Sequence, residues 1–252
     1  MLFRSNTLDV VWQPIFTPSR TPLLNQRWTA LPPEAAAFSL RDGGARYPGG
    51  SQYGVRWNHV ASGYEYSLSY FDGRQTLPSF QAALDPAQPS GVLLERYYPR
   101  LRLYGGDAAV PLSWFTLKGE AAYLTSSTPG AQEYGLYILQ VERLVKEWSF
   151  VGGYAGSFTT RQPASSLQFA ADRGFAKSFV GRAGLTIDVN RSLAVESAVR
   201  ANGSFVRFEY SQASGQHWRT TANLAWIRGD MSDFLGQYRR NSYASLAIRY
   251  SF

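Results

Sequence analysis

Cysteine is absent from all 252 residues, and histidine occurs only at His59 and His217. The first absence excludes a disulfide framework and a thiolate metal site. The second leaves no His-rich metal site, so no metal and no cofactor is expected. No run of 18 or more uncharged apolar residues occurs, so no helix is expected to span a membrane. Lysine and arginine outnumber the acids, 25 to 18. Yet the longest basic run is the pair Arg239–Arg240, which argues against a nucleic-acid arm. The N-terminus, MLFRSNTLDVVW, lacks the apolar core and small-residue cleavage site of an export signal. An exported chain needs such a leader, so a removed leader or missing upstream residues is the expectation. Helical periodicity is scarce. PPEAAAFSL, residues 32–40, is the one predicted helix, short, with Pro at its start and Gly43–Gly44 after it.

Aromatic residues are plentiful: 16 Tyr, 15 Phe and 7 Trp. They fall into runs that alternate with a period of two. Tyr64, Tyr66, Leu68 and Tyr70 alternate with Glu65, Ser67 and Ser69. Val206, Phe208 and Tyr210 alternate with Arg207, Glu209 and Ser211. Trp218, Leu224 and Trp226 alternate with Arg219, Thr221 and Asn223. The pattern predicts twelve strands, near 7–15, 51–60, 63–72, 93–105, 112–124, 133–144, 147–158, 175–189, 192–200, 204–212, 216–229 and 242–252. Connections between them alternate in length, except that two on the long rim, after the fifth and after the ninth strand, are brief. The long ones are 16–50, 73–92, 159–174 and 230–241; the short ones include ASG at 61–63, KE at 146–147 and NR at 190–191. Short turns on one rim and long loops on the other are what transmembrane barrels show. The expected fold is therefore all-β: an up-and-down antiparallel transmembrane barrel of about twelve strands. It forms one domain over 1–252, with short periplasmic turns, long outer loops, and both termini on the periplasmic side. Loop 16–50, with its small helix, is the longest and could fold inward as a plug.

The chain ends YASLAIRYSF. Leu246, Ile248, Tyr250 and Phe252 share one parity and form a predicted assembly signal, because a closing last strand must pair with the first to abolish both edges. Three segments, NTLDVVWQPIFTPSRTP (6–22), GVRWNHVASGYEYSLSYFDGRQTLP (54–78) and ERYYPRLRLYGGDAAVPLSWFTLKGEAAYL (95–124), together with this terminus, carry a resemblance. They look like the C-terminal part of a family of large Gram-negative outer-membrane barrel proteins, catalogued mainly as a domain of unknown function. The resemblance covers most of the chain. It implies location in the bacterial outer membrane and a barrel architecture, and it carries no catalytic residues. Family members have further strands before the VWxPxFTP segment, whereas this sequence begins just before it. It resembles either a shorter relative closing with twelve strands or a barrel without its first strands.

Candidate chemistry is sparse. Ser62 follows His59 by three residues and no His-x-Ser spacing occurs, so an interfacial histidine is favoured over a base–nucleophile pair and no enzyme is expected. Asp230 and Asp233 in DMSD read as a solvated loop rather than a calcium site. GGYAG (152–156) sits inside a strand and is no phosphate cradle. What remains is the polar parity of the strands. It carries Arg56, Arg96, Arg100, Arg102, Lys118, Glu120, Arg182, Glu196, Arg207, Glu209, Arg219 and Arg249. Such charges are costly against lipid, so they are assigned to the lumen. Arg96, Arg100 and Arg102 are expected on one wall with Lys118, leaving an anion-favouring patch. A porin-like pore or transporter for small solutes is the leading expectation. A plugged or structural barrel and, further behind, a lipid-acting barrel enzyme are the alternatives. The implied partners are outer-membrane lipids, lipopolysaccharide, the barrel-assembly machinery and an unnamed small solute, with no nucleic acid.

Overall fold

A computed structural model describes residues 5–22, 26, 29, 38–88, 91–165, 167–170 and 173–252. It is all-β, 66% strand and 3% helix. Twelve strands join one antiparallel sheet: β1 (Ser5–Gln13), β3 (Gln52–Ala61), β4 (Tyr64–Arg74), β7 (Arg100–Pro111), β8 (Thr116–Thr125), β9 (Glu133–Val145), β10 (Trp148–Arg161), β12 (Ser178–Thr186), β13 (Arg191–Val199), β14 (Gly203–Ser214), β15 (Trp218–Gly229) and β16 (Tyr243–Tyr250). The expected number is found in this sheet, and each expected segment contributes one strand to it. The order runs β1-β3-β4-β7-β8-β9-β10-β12-β13-β14-β15-β16, with β1 and β16 at its ends. No closed barrel is detected. Among the described residues no helix is long and apolar enough to cross a membrane, which says nothing about strands.

Connection lengths explain the topology. β3 and β4 are joined by Ser62–Gly63, with Gly63 at φ +87°, a conformation that glycine adopts without a Cβ clash. β9 and β10 are joined by Lys146–Glu147. β7–β8, β12–β13 and β14–β15 are short as well; of the connections between these, β8–β9 (126–132) and β13–β14 (200–202) are brief and the others long.

The long connections are not all loop. A second, four-stranded sheet is built from them in the order β11-β5-β6-β2: β11 (Gln168–Ala170), β5 (Ser79–Leu84), β6 (Gly91–Tyr97) and β2 (Ser39–Arg46). This corrects three expectations. Of the helix expected over 32–40, residues 32–37 lie outside the described residues, and Ser39–Leu40 open a strand instead. The expected loops 16–50, 73–92 and 159–174 contribute β2, β5 with the start of β6, and β11. The expected single strand 93–105 is two strands in different sheets, broken at Tyr98–Pro99. Proline has no N–H to give a ladder, and the backbone changes partners there.

The chain forms two compact units: 1–110, 119–137 and 157–173 in the first, and 111–118, 138–156 and 174–252 in the second. In the first unit, Phe16 and Tyr98 are buried with ring centroids 5.0 Å apart, and Tyr47 stacks on Tyr98 at 5.7 Å. Gln52 is buried; its Nε2 donates to Gln13 Oε1 (3.0 Å) and its Oε1 accepts from the Arg74 N–H (2.8 Å), tying β1, β3 and β4 together. The second unit contains the β12–β16 meander and a one-turn helix α1 (Phe234–Gln237), capped by Asp233, whose Oδ1 accepts from Leu235 N–H.

Burial is inverted on β13 and β15, whereas both faces of β16 are exposed. In the second unit Leu193, Leu224 and Trp226, on the apolar parity, are 43%, 49% and 51% exposed. Ala198, Ala225 and Ile227, on the other parity, are 6% exposed or less. Register confirms the two faces. Val206 lies opposite Trp226, Phe208 opposite Leu224, and Ala222 opposite Leu246; Arg207 lies opposite Ala225, and Glu209 opposite Asn223. We call these the apolar and polar faces.

Two predictions concern the fold. A Cβ at Gly153 would run into the Leu139 carbonyl oxygen and Gln140 Cα, while one at Gly152 meets nothing within 4 Å. Gly153→Ala should cost about 1–3 kcal/mol through overpacking against backbone, whereas Gly152→Ala should be near neutral. Urea unfolding followed by tryptophan fluorescence checks both.

The second prediction concerns acid. In the small sheet, Asp85 accepts from the Ala87 N–H (2.9 Å) and from Arg41 on β2 (2.8 Å). The backbone hydrogen bond first, then the Arg41 bond, hold its carboxyl below the ordinary aspartate range. Its contribution is therefore complete above that range and disappears as pH falls through the lowered value. Amide exchange in β2 and β6 should quicken on acidification through that window, and Asp85→Asn should remove the dependence.

Candidate functional site

The charged polar face is the candidate site. In the first unit it opens with Asp9 opposite Arg56, and Arg56 opposite Ser69. Arg56 Nη2 reaches across to Asp107 Oδ1 on β7, 2.8 Å away, and the Ser67 hydroxyl donates to the same oxygen. Asn58 Nδ2 donates to Asp9 Oδ2 (2.7 Å) and to Thr7 (3.2 Å). Glu65 and Glu120 are exposed.

In the second unit Lys118 Nζ pairs with Glu142 at 2.5 Å. Glu196 on β13 takes two cations, Arg182 from β12 and Arg207 Nη2 from β14, the latter at 2.7 Å. This three-strand ladder follows from register: Arg182, Glu196 and Arg207 are direct neighbours. Arg207 Nε and Asn223 Oδ1 are buried with no hydrogen-bond partner. Arg219 and Arg249 lie directly opposite each other. Like charges so placed repel, and neither has an acidic partner among the described residues. Among the residues named here in this unit, five cations (Lys118, Arg182, Arg207, Arg219, Arg249) meet three carboxylates (Glu142, Glu196, Glu209).

Arg96, Arg100 and Arg102 are placed differently from the expectation. Arg96 belongs to the four-stranded sheet, where it pairs with Asp42 at 2.8 Å. Arg100 and Arg102 are in the twelve-stranded sheet but on its apolar face. Arg102 lies opposite Asp72, Arg100 opposite Arg74, and Tyr104 opposite Tyr70. The face was misassigned because Leu101 and Leu103 alternate with them and look like the apolar side. Those leucines lie opposite Gly73 and Phe71, an apolar end on an otherwise polar face. With Asp42, Asp72 and Glu142 as partners, the expected uncompensated patch of these three arginines with Lys118 does not form.

Sequence reasoning also missed Asp107, Asp72 and Asp42, which sit on other strands and become partners only through register. For Asp72 and Arg74 a signal existed: both continue the parity of Tyr66, Leu68 and Tyr70.

Neither histidine meets a serine hydroxyl in a described hydrogen bond. His59 Nδ1 contacts Asn6 Oδ1 at 2.8 Å and its ring lies 5.1 Å from Tyr66. His217 Nδ1 contacts the Ser251 carbonyl at 2.9 Å beside Tyr250. No group of three His, Cys, Asp or Glu among the described residues could hold a metal. GGYAG lies wholly within β10, as a strand. Asp233 of DMSD is not a free loop carboxylate: it caps α1 and accepts from Arg200 Nε at 3.0 Å, while Arg200 also donates to the Gly174 carbonyl.

A shallow apolar depression of about 360 Å³ opens on the second unit's apolar face, bordered by Trp148, Ala183, Leu185, Phe208, Tyr210 and Leu224. No protein-family model, curated protein or solved structure matches the chain.

Arg200 and Asp233 are 14% and 9% exposed at their side chains, so their pair is nearly dry. Asp233→Ala strands a cation there and removes the α1 cap; it should destabilise by about 3–5 kcal/mol. Asp188→Ala breaks an exposed pair with Arg191 and should shift the unfolding midpoint far less. Denaturant unfolding of the two variants side by side makes the comparison.

Proposed function

We propose that this chain is a transmembrane β-barrel of a Gram-negative outer membrane and passes small solutes along its charged face as a pore or transporter. One observation carries the reading: the inverted burial. On β13 and β15 the apolar and aromatic side chains are the exposed ones and the face bearing charges is the more enclosed, while on the end strands β1 and β16 both faces are open. Water around such an apolar face would be an aggregation hazard, whereas lipid is its natural solvent. The alternation of short and long connections supports the same reading. So do the terminal strands: β1 and β16 stand at the two ends of the strand order, and because lipid cannot satisfy an open edge, this reading pairs them. At the end of β16, Tyr250 packs on Trp218 (4.8 Å) and Phe252 (5.3 Å), an aromatic group at the depth where interfacial rings sit. Insertion requires the barrel-assembly machinery, with Leu246, Ile248, Tyr250 and Phe252 as the recognised strand. The resemblance to the large outer-membrane barrel family belongs to this reading.

The buried, unpartnered atoms of Arg207 and Asn223 favour water along the polar face rather than dry packing. The cation excess in the second unit favours mild anion selectivity there, with Arg219 and Arg249 as its source. The pairing of Arg56, Lys118, Arg182 and Arg207 with acids favours a second reading, a structural or plugged barrel whose charges chiefly hold strands together. No catalytic role is assigned.

Refolded protein in planar bilayers should give stepwise conductance, with an anion-selective reversal potential under a salt gradient. Arg219→Glu/Arg249→Glu should weaken that selectivity, and high salt should screen it. Single cysteines at 246 and 247 should differ in quenching by brominated lipid, the former being the accessible one. Insertion without conductance selects the plugged reading. Equal quenching at both positions rejects the membrane assignment.

A further inference from the structure

We infer that Arg74, Arg100 and Arg102 form a binding site for the phosphate group of a membrane lipid on the apolar face of the first unit, an inference that rests on the membrane reading above. The three guanidiniums occupy the last positions of β4 and the first of β7, where Arg74 lies opposite Arg100 and Asp72 opposite Arg102. Asp72 is the only carboxylate among them. Its side chain is 5% exposed, and it fixes both neighbours: Arg100 Nε and Nη2 meet Oδ1 at 3.1 and 3.0 Å, and Arg102 Nε meets Oδ2 at 3.2 Å. Arg100 and Arg102 nevertheless keep 47% of their side-chain surface open. Arg74 has no ion pair or side-chain hydrogen bond among the described residues. One buried carboxylate thus orients two guanidiniums and leaves three cations with a net positive charge.

Position selects the ligand. Directly along the same face come Tyr70 and Tyr104, with rings 5.3 Å apart, and Tyr53, 6.4 Å from Tyr70. Val55 lies opposite Tyr70, level with these rings, and beyond it the face is Leu68 opposite Trp57. An anion seated on the arginines would therefore have tyrosines with Val55, and then Leu68 and Trp57, directly beneath it. That sequence of surfaces matches a phosphorylated headgroup followed by its acyl chains. The site is at the end bearing the long connections, which in the membrane reading is the outer leaflet. Arginine suits it because its planar fork meets two phosphate oxygens at once. A free phosphate would gain nothing from the tyrosine and aliphatic surface below, so the lipid headgroup is the assigned source.

The test uses refolded wild type, Arg74→Gln, Arg74→Gln/Arg100→Gln and Arg228→Gln. Arg228 is an arginine of the same parity that stacks on Trp226, 4.7 Å away, and has no part in the cluster. Arg74→Gln removes no ion pair, so it leaves the fold intact. Insertion into phosphatidylcholine vesicles is scored first. Native mass spectrometry then follows binding of bisphosphorylated lipid A, dephosphorylated lipid A and excess inorganic phosphate. The expected result is retention of the phosphorylated lipid by wild type and Arg228→Gln, about tenfold weaker retention in Arg74→Gln, and a larger loss in the double variant. Dephosphorylated lipid should bind like the double variant, and inorganic phosphate should not displace the lipid. Equal retention by all four proteins, or of both lipids, overturns the site while leaving the membrane reading intact. Full displacement by inorganic phosphate overturns the lipid assignment. Wild type that does not insert overturns the membrane reading and the site with it.

Discussion

The backbone ladder is the constraint from which everything else follows. Each strand of the large sheet satisfies its N–H and C=O groups sideways, so its side chains are free to serve two different surroundings, one per face. The register then fixes which residues share a face. A slip of one residue between β14 and β15 would carry Arg207 from Ala225 toward the tryptophans and leucines of the other side. Charge and aromatic placement are thus consequences of hydrogen-bond pairing. The ion pairs of Glu196 with Arg182 and Arg207 follow from register in turn.

Close strand approach depends on small residues where the ladder bends or crowds. Gly153 sits against the carbonyl of Leu139, and Gly203 leaves room for Asp233. The latter matters for the second unit as a whole. Asp233 serves at once as cap of α1 and partner of Arg200, so one carboxylate ties the β15–β16 connection to the β13–β14 turn. Burial makes that arrangement strong, whereas the exposed Asp188–Arg191 pair in the β12–β13 turn shapes only its own turn.

Period-two alternation is local, and where it is unbroken the sequence is easily read. Twelve strands, their approximate limits and the alternation of short and long connections were all visible in it. So was the face shared by Arg182, Glu196, Arg207 and Glu209, because those strands are clean. The reading failed at 93–105, where Pro99 lies inside an alternating run and the chain changes sheets. It failed again at Arg100 and Arg102, where Leu101 and Leu103 invert the local signal. The partners Asp42, Asp72 and Asp107 could not be read because a partner is set by pairing between strands distant in sequence. The strands β2, β5 and β11 lie in connections where no apolar period marks them.

The small sheet has a consequence for the order in which the first unit assembles. β3 and β4 meet through a two-residue turn, so their pairing closes almost no chain. β2 pairs in parallel with β6 across that whole hairpin, and β11 reaches back from residues 168–170 to β5 at 79–84. Closing such long segments costs more entropy, about 0.6 kcal/mol for each doubling of length, and these contacts reward the chain only after the intervening hairpin is in place. On this entropy argument the four-stranded sheet is expected to zip last. Its protection from exchange would serve as a clock for completed assembly, reporting on the hairpins it encloses without touching their faces.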